Sequence, residues 1–253
     1  MTTTTDARLW LRPLDAAPPG APQLVCLPHA GGSAGYYRPL AIRLAPDWSV
    51  VGVQYPGRQD RRQEPPPEDL AGLAQSVADA CARHLTDPFA LFGHSMGAVV
   101  AFEVARELER RGRSPEVLFV SARPAPDADN GRSRLTAVAA DDNLVIAEVV
   151  ALDGTAAGVL DDPDVRALVL PTLRSDYRAL AGYEFQPGPP LRCDIVGLVG
   201  GADPYTGPVE MREWARHTAG SFKFHEFTGG HFYFAEDTTT VAATLRAELT
   251  CAD

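Results

Sequence analysis

Gly93-His94-Ser95-Met96-Gly97 constrains this chain more than any other stretch. It follows an apolar run, Phe89-Ala90-Leu91-Phe92, and precedes Ala98-Val99-Val100-Ala101-Phe102. A buried strand, a sharp turn and a helix are predicted there. In a G-x-S-x-G turn the flanking glycines carry no Cβ to clash, and the central serine is held out above the end of a sheet. A serine so placed becomes a nucleophile when a histidine and a carboxylate reach it.

Short apolar runs with helical patterns between them make up the rest of the chain. Gln23–Leu27, Ser49–Gln54, Val117–Val120 and Ile195–Val199 read, like Phe89–Phe92, as strands covered on both faces. Phe222–Phe227 alternates more and reads as an edge strand. Apolar residues fall at helical spacing over Leu70–Cys81 and Val99–Leu108, and again at Val241, Leu245 and Leu249. Strands alternating with helices predict an α/β domain with a mostly parallel sheet and helices on both faces.

One connection, from Val120 to Ile195, is far longer than the roughly dozen residues a crossover needs. It carries its own helical patterns. One covers Leu144–Leu152 and stops at Gly154. A second starts at Asp162-Pro163, with Asp as N-cap and Pro at the first position, and Pro171 is expected to kink or split it. An insertion over residues 124–190 is therefore expected to sit above the strand ends as a lid within one domain, 1–253. Leu144, Val145, Val149, Leu168, Val169 and Tyr177 are expected either to line a tunnel beneath it or to pack it onto the sheet.

Bulk properties exclude several classes. The net charge of −10 argues against a duplex nucleic acid partner. No apolar stretch approaches the ~20 residues that span a bilayer, and the threonine-rich start lacks a signal pattern. Cys26, Cys81, Cys193 and Cys251 are scattered, with no C-x-x-C pair or Cys/His cluster. Neither a metal nor a cofactor is expected, and a reducing cytoplasm fits. A monomer is expected.

Ser95 needs a base and an orienting acid. His231 lies just past the last strand in Thr228-Gly229-Gly230-His231-Phe232, and Asp203 follows the strand Ile195–Val199 in Gly200-Gly201-Ala202-Asp203-Pro204. Open α/β sheets build their sites at these strand ends. The order Ser95, Asp203, His231 is that of the α/β-hydrolases. The oxyanion donors are expected to be the backbone N–H groups of Met96 and of Ala30, the latter in Pro28-His29-Ala30-Gly31-Gly32. His29, Tyr177, Phe232 and Tyr233 are candidates for contact with substrate. His94 also adjoins the site. His84 and His217 are expected to be exposed or structural, and His225 lies inside a strand.

At these residues the sequence resembles the stand-alone type II editing thioesterases of polyketide synthase and nonribosomal peptide synthetase clusters, within the α/β-hydrolase superfamily. The matching pieces are Leu27–Ala34, Gln54-Tyr55-Pro56-Gly57-Arg58, Gly93–Ala98, Leu173-Arg174-Ser175-Asp176-Tyr177, Gly200–Pro204 and Gly229–Phe234, spread over nearly the whole chain. Partner thioesterases of fatty acid synthases share much of this set. The resemblance implies an α/β-hydrolase fold. It also implies hydrolysis of acyl groups from the phosphopantetheine arm of an acyl or peptidyl carrier protein. The chain opens on its own methionine with no preceding carrier-like region, so a discrete editing enzyme is expected. Arg58-Gln59-Asp60-Arg61-Arg62 stands out in an acidic chain, and Arg58, Arg61 and Arg62 are candidates for carrier docking, the alternative being a solvated loop. The same catalytic groups would serve an oxyester hydrolase or a medium-chain fatty-acyl-carrier thioesterase.

Overall fold

In the computed structural model, residues 9–15, 17–128, 131–152 and 159–250 are described. Seven strands form one sheet: β1 (Leu11–Pro13), β2 (Gln23–Leu27), β3 (Ser49–Val53), β4 (Phe89–His94), β5 (Val117–Ser121), β6 (Asp194–Gly200) and β7 (Phe222–Phe227). Their order is β1-β3-β2-β4-β5-β6-β7. Every neighbouring pair is parallel except β1 with β3. The six strands expected from the sequence are all present, and β7 is an edge as anticipated.

The outer layers follow from the two-residue period of strands buried on both faces. Val25 and Leu27 of β2 enter one apolar cluster, which they share with Val77 of α2 (Leu70–His84) and Val99 of α3 (Met96–Arg110). Leu24 and Cys26 enter a second cluster on the opposite face. There they meet Leu40 and Leu44 of α1 (Arg38–Leu44) and Val241 and Leu245 of the C-terminal helix (Thr238–Thr250). Each fully buried aliphatic side chain contributes about 1.5–3 kcal/mol to burial. Cys26, Cys81 and Cys193 are buried and unbridged, and burial pushes the thiols up, that of Cys81 to about 12. Cys251 lies outside the described residues.

Between β5 and β6 the chain builds α4 (Arg132–Ala140), α5 (Asp142–Ala151), a 3-10 turn (Val159–Asp161) and α6 (Pro163–Ala181). The expected stop at Gly154 falls outside the described residues. Asp162 caps α6 as expected, accepting from the Asp164 and Val165 N–H groups. Pro171 does not split α6, which runs through it as one helix. Pro171 and Ala167, the residue one turn earlier, are both exposed, so water can take the carbonyl that loses its partner. Leu170 and Leu173 are buried on either side of the proline.

Sheet order sets where a site can form. β2 has β3 on one side and β4 on the other, with Leu27 paired to Gly93. The chain leaves β2 in one direction and returns on the other side as β4. Beyond the carboxyl ends of these two strands lies the crevice of a topological switch point. Among the described residues no helix is long and apolar enough to cross a membrane.

Candidate active site

Ser95 sits between the last residue of β4 and the first of α3, at φ 55° and ψ −119°. A non-glycine residue at positive φ is strained and persists only where its surroundings fix it. Here they do: the Ser95 N–H donates to the Ser121 carbonyl at 2.8 Å, and the Ser95 carbonyl accepts from Ala98 at 3.0 Å. The flanking glycines are required by contact. A Cβ on Gly93 would lie 2.2 Å from the Gly97 carbonyl oxygen, and one on Gly97 would lie 2.1 Å from the Leu27 oxygen.

Asp203 and His231 come from adjacent loops that are tied together. Beyond β6 and β7, Gly201 N–H donates to the Phe227 carbonyl at 2.8 Å and Ala202 N–H to the Gly229 carbonyl at 2.9 Å. This brings His231 Nδ1 to 2.7 Å from Asp203 Oδ2. The Asp203 side chain has no exposed surface, and its other oxygen accepts from the Tyr205 and Thr206 N–H groups at 2.9 and 3.2 Å. With Nδ1 bonded to the carboxylate, the second ring nitrogen, Nε2, is buried with no partner among the described residues.

Ser95, His231 and Ala30 line one cavity of about 200 Å³. Met96 opens α3, so its N–H belongs to the first helical turn, where no earlier helical carbonyl can accept it. Leu135, Leu152, Tyr177 and Leu180 supply apolar wall. A polar wall that the sequence did not reveal joins them: Arg123, Arg134, Glu148 and Tyr205. Arg134 pairs with Glu148, and its guanidinium lies 3.9 Å from the Tyr205 ring centroid, while Tyr205 donates to Glu148 at 3.0 Å. Its sequence signals were a lone acid inside the apolar Leu144–Leu152 pattern and an arginine just past β5. Among the described residues no group of three His, Cys, Asp or Glu side chains could hold a metal.

Of the four side chains expected to meet substrate, Tyr177 lines this cavity. Tyr233 does not: it is fully buried, joined by its hydroxyl to Ser121 Oγ at 2.7 Å and stacked on Phe227. His29 and Phe232 instead belong to an aromatic cluster with His94 and His231. The Phe232 ring lies 4.9, 5.4 and 5.1 Å from the rings of His29, His94 and His231. Burial, with the His231 charge second, pushes the His29 pKa down to about 3. The same two causes hold His94, joined to Ser121 Oγ at 2.9 Å, well below the usual histidine range. Both rings are thus held in the neutral form. His217 is buried against Asp127, and His225 bonds Glu248.

The basic cluster requires a correction. Arg58 and Arg61 are only 6% and 4% exposed. Arg58 is paired with Asp176, and Arg61 donates to Glu64 and to the Gln54 carbonyl. Guanidiniums held in this way inside the protein are not available to a docking partner. Arg62 is exposed. Among the expected tunnel positions, Leu144 and Leu168 are also exposed, at 43% and 64%, because they lie on the outer faces of α5 and α6.

Comparison with known proteins gives the arrangement its family context. The thioesterase-domain family matches residues 22–249. The sequence is 45% identical over 235 residues to the thioesterase PikA5 of Streptomyces venezuelae, covering 90% of this chain and 81% of that one. It is 44% identical over 237 residues to a probable cadicidin biosynthesis thioesterase of Streptomyces griseus, covering 93% of this chain but spanning 65% of that relative's length. The solved structure of BorB, the type II thioesterase from the borrelidin biosynthetic cluster, superposes with a TM-score of 0.86 at 47% identity, covering 95% of this chain and 98% of that one.

Proposed function

Because the chain belongs to the thioesterase family and has the α/β-hydrolase fold of its type II members, we propose that it hydrolyses acyl thioesters carried on the phosphopantetheine arm of acyl or peptidyl carrier proteins, clearing stalled or mis-primed units in a polyketide or nonribosomal peptide system. The observation that carries this reading is the buried Asp203–His231 bond beside a serine at a strained elbow on the same cavity.

Ser95 is the nucleophile. The free Nε2 of His231 takes the hydroxyl proton as Ser95 attacks the thioester carbonyl. Asp203 holds the ring in the tautomer that leaves Nε2 basic, and stabilises the cation that forms. The developing oxyanion is met by the N–H groups of Ala30 and Met96, the latter aided by the positive end of α3. Each such donor is worth about 2.7–4 kcal/mol of barrier. The thiol leaves without much help, since thiol pKa values lie near about 8.5. Water activated by His231 then releases the acid from Ser95.

The helices α4 to α6 act as the lid over this site. A cavity of about 200 Å³ is smaller than the ~300–1,000 Å³ of pockets that bury drug-sized ligands, which favours short acyl groups. Rates on an acyl-pantetheine thioester and on the matching oxyester test the reading. The thioester is expected to be cleaved faster. Equal or faster cleavage of the oxyester would overturn the assignment.

A further inference from the structure

Three of the sequence motifs meet at one buried ion pair. Arg58 follows β3, Asp176 lies on α6, and between them sits the loop after β2. Both side chains are almost wholly buried, at 5% and 1% side-chain exposure. Arg58 Nη2 donates to Asp176 Oδ1 at 2.8 Å and Nη1 to Oδ2 at 2.9 Å, a bidentate pair. Each partner has a further bond to the same loop. Gly31 N–H donates to Asp176 Oδ2 at 2.8 Å, and Arg58 Nη1 donates to the Gly32 carbonyl at 3.2 Å.

These bonds bear directly on the orientation of Ala30. A peptide unit is planar, so an anchored atom in it fixes the direction of the others. The unit after Ala30 is held by the Gly31–Asp176 bond. The unit before it, which contains the Ala30 N–H, is held by Gly32 N–H donating to the His29 carbonyl at 2.9 Å. In a trans unit the Ala30 N–H points away from that carbonyl. Gly31 itself has φ +75°, and a Cβ there would lie 2.5 Å from Leu173 of α6, so the loop is pressed against the helix that carries Asp176. Two more bonds pin the same helix to the body: Thr172 Oγ1 to the Gly57 carbonyl at 2.6 Å and Ser175 Oγ to the Pro67 carbonyl at 3.2 Å.

We propose that the Arg58–Asp176 pair is a positioning device that sets the oxyanion loop by docking α6 against it, so that the Ala30 N–H is aimed at the reacting carbonyl only while that helix is seated. The proposal rests on the serine-hydrolase reading above. It assigns to neither residue a contact with substrate. Its consequence is that α6 forms a fixed wall of the insertion.

The test separates positioning from simple support of the fold. In Asp176→Asn the shape persists but the charge pair and one of its acceptors are lost. Misplacing a reacting group by about 1 Å can cost about 10²-fold, and so kcat on an acyl N-acetylcysteamine thioester is expected to fall by about that factor, with KM nearly unchanged. An acyl trifluoromethyl ketone, whose tetrahedral adduct uses the same donors, is expected to weaken by the same factor. The double variant Arg58→Met/Asp176→Leu removes both charges together, so that neither is left buried alone. It is expected to stay folded, melting somewhat lower because the Gly31 N–H and the Gly32 carbonyl lose their partners, and to turn over about 10²-fold more slowly. A folded double variant, or Asp176→Asn, with wild-type kcat and inhibitor affinity would overturn the proposal. Failure of the wild type to cleave the thioester, or retained turnover in Ser95→Ala, would instead sink the underlying reading.

Discussion

Asp203 has no exposed side-chain surface, yet its charge is matched on both oxygens, by His231 on one and by two backbone N–H groups on the other. A carboxylate so bonded holds the imidazole in one tautomer. Asp203→Asn keeps the shape but can present a donor to Nδ1, favouring the wrong tautomer. Thioester turnover is expected to fall by about 10⁴-fold while the fold is retained. A loss of less than tenfold, measured by steady-state kinetics, would mean that another group orients the base. That Ser95 and His231 line one cavity, with Asp203 bonded to His231, was legible in the sequence because each stands in a loop directly after a strand. Arg134, Glu148 and Tyr205 were not, since α4, α5 and the loop after β6 bring them together only in three dimensions. Arg58 and Arg61 misled for a related reason. A run of charges reads as solvated surface, and its buried partners, Asp176 and the backbone carbonyls, lie elsewhere in the chain.

At the scale of elements, the turn from β4 into α3 depends on two absent side chains. In Gly97→Ala the new methyl would meet the Leu27 carbonyl at 2.1 Å, backbone against backbone, with no flexible group to yield. Overpacking of this kind costs about 1–3 kcal/mol, and this substitution is expected at the upper end. Gly35→Ala is the control, since its Cβ would meet nothing within 4 Å. Its effect should stay within about 0.5 kcal/mol. Urea midpoints of the two variants compare them, and equal midpoints would show that the elbow tolerates the added carbon. Continuous apolar runs made the parallel strands legible. β1 was missed because Leu11–Pro13 is too short to show a period and ends in a proline, which an edge strand tolerates. α4 was missed because Arg132–Ala140 holds only three buried residues, Leu135, Val138 and Ala139, and so has little apolar stripe.

Across the whole molecule, folding buries His94 and packs the half-buried His29 against it and against Phe232. Their pKa values are lowered in the folded state, that of His29 from 6.5 to about 3. Below pH 6.5 the unfolded chain therefore binds more protons than the folded one. Stability is complete above that pH and is lost as the pH falls, by about 1.4 kcal/mol per unit for each such histidine. Denaturant titrations between pH 6.5 and 5, above the range of most carboxylates, are expected to show this slope. His94→Asn should cut the slope roughly in half, and an unchanged slope would show that His94 is not the group involved.

The proposed chemistry rests on one serine, Ser95, and one imidazole, that of His231. Its most direct test is the intact mass of an acyl-loaded carrier protein after incubation with the wild type or with Ser95→Ala. The wild type is expected to return the carrier with a free phosphopantetheine thiol, and Ser95→Ala to leave the acyl group in place. Unloading by Ser95→Ala at the wild-type rate would contradict it.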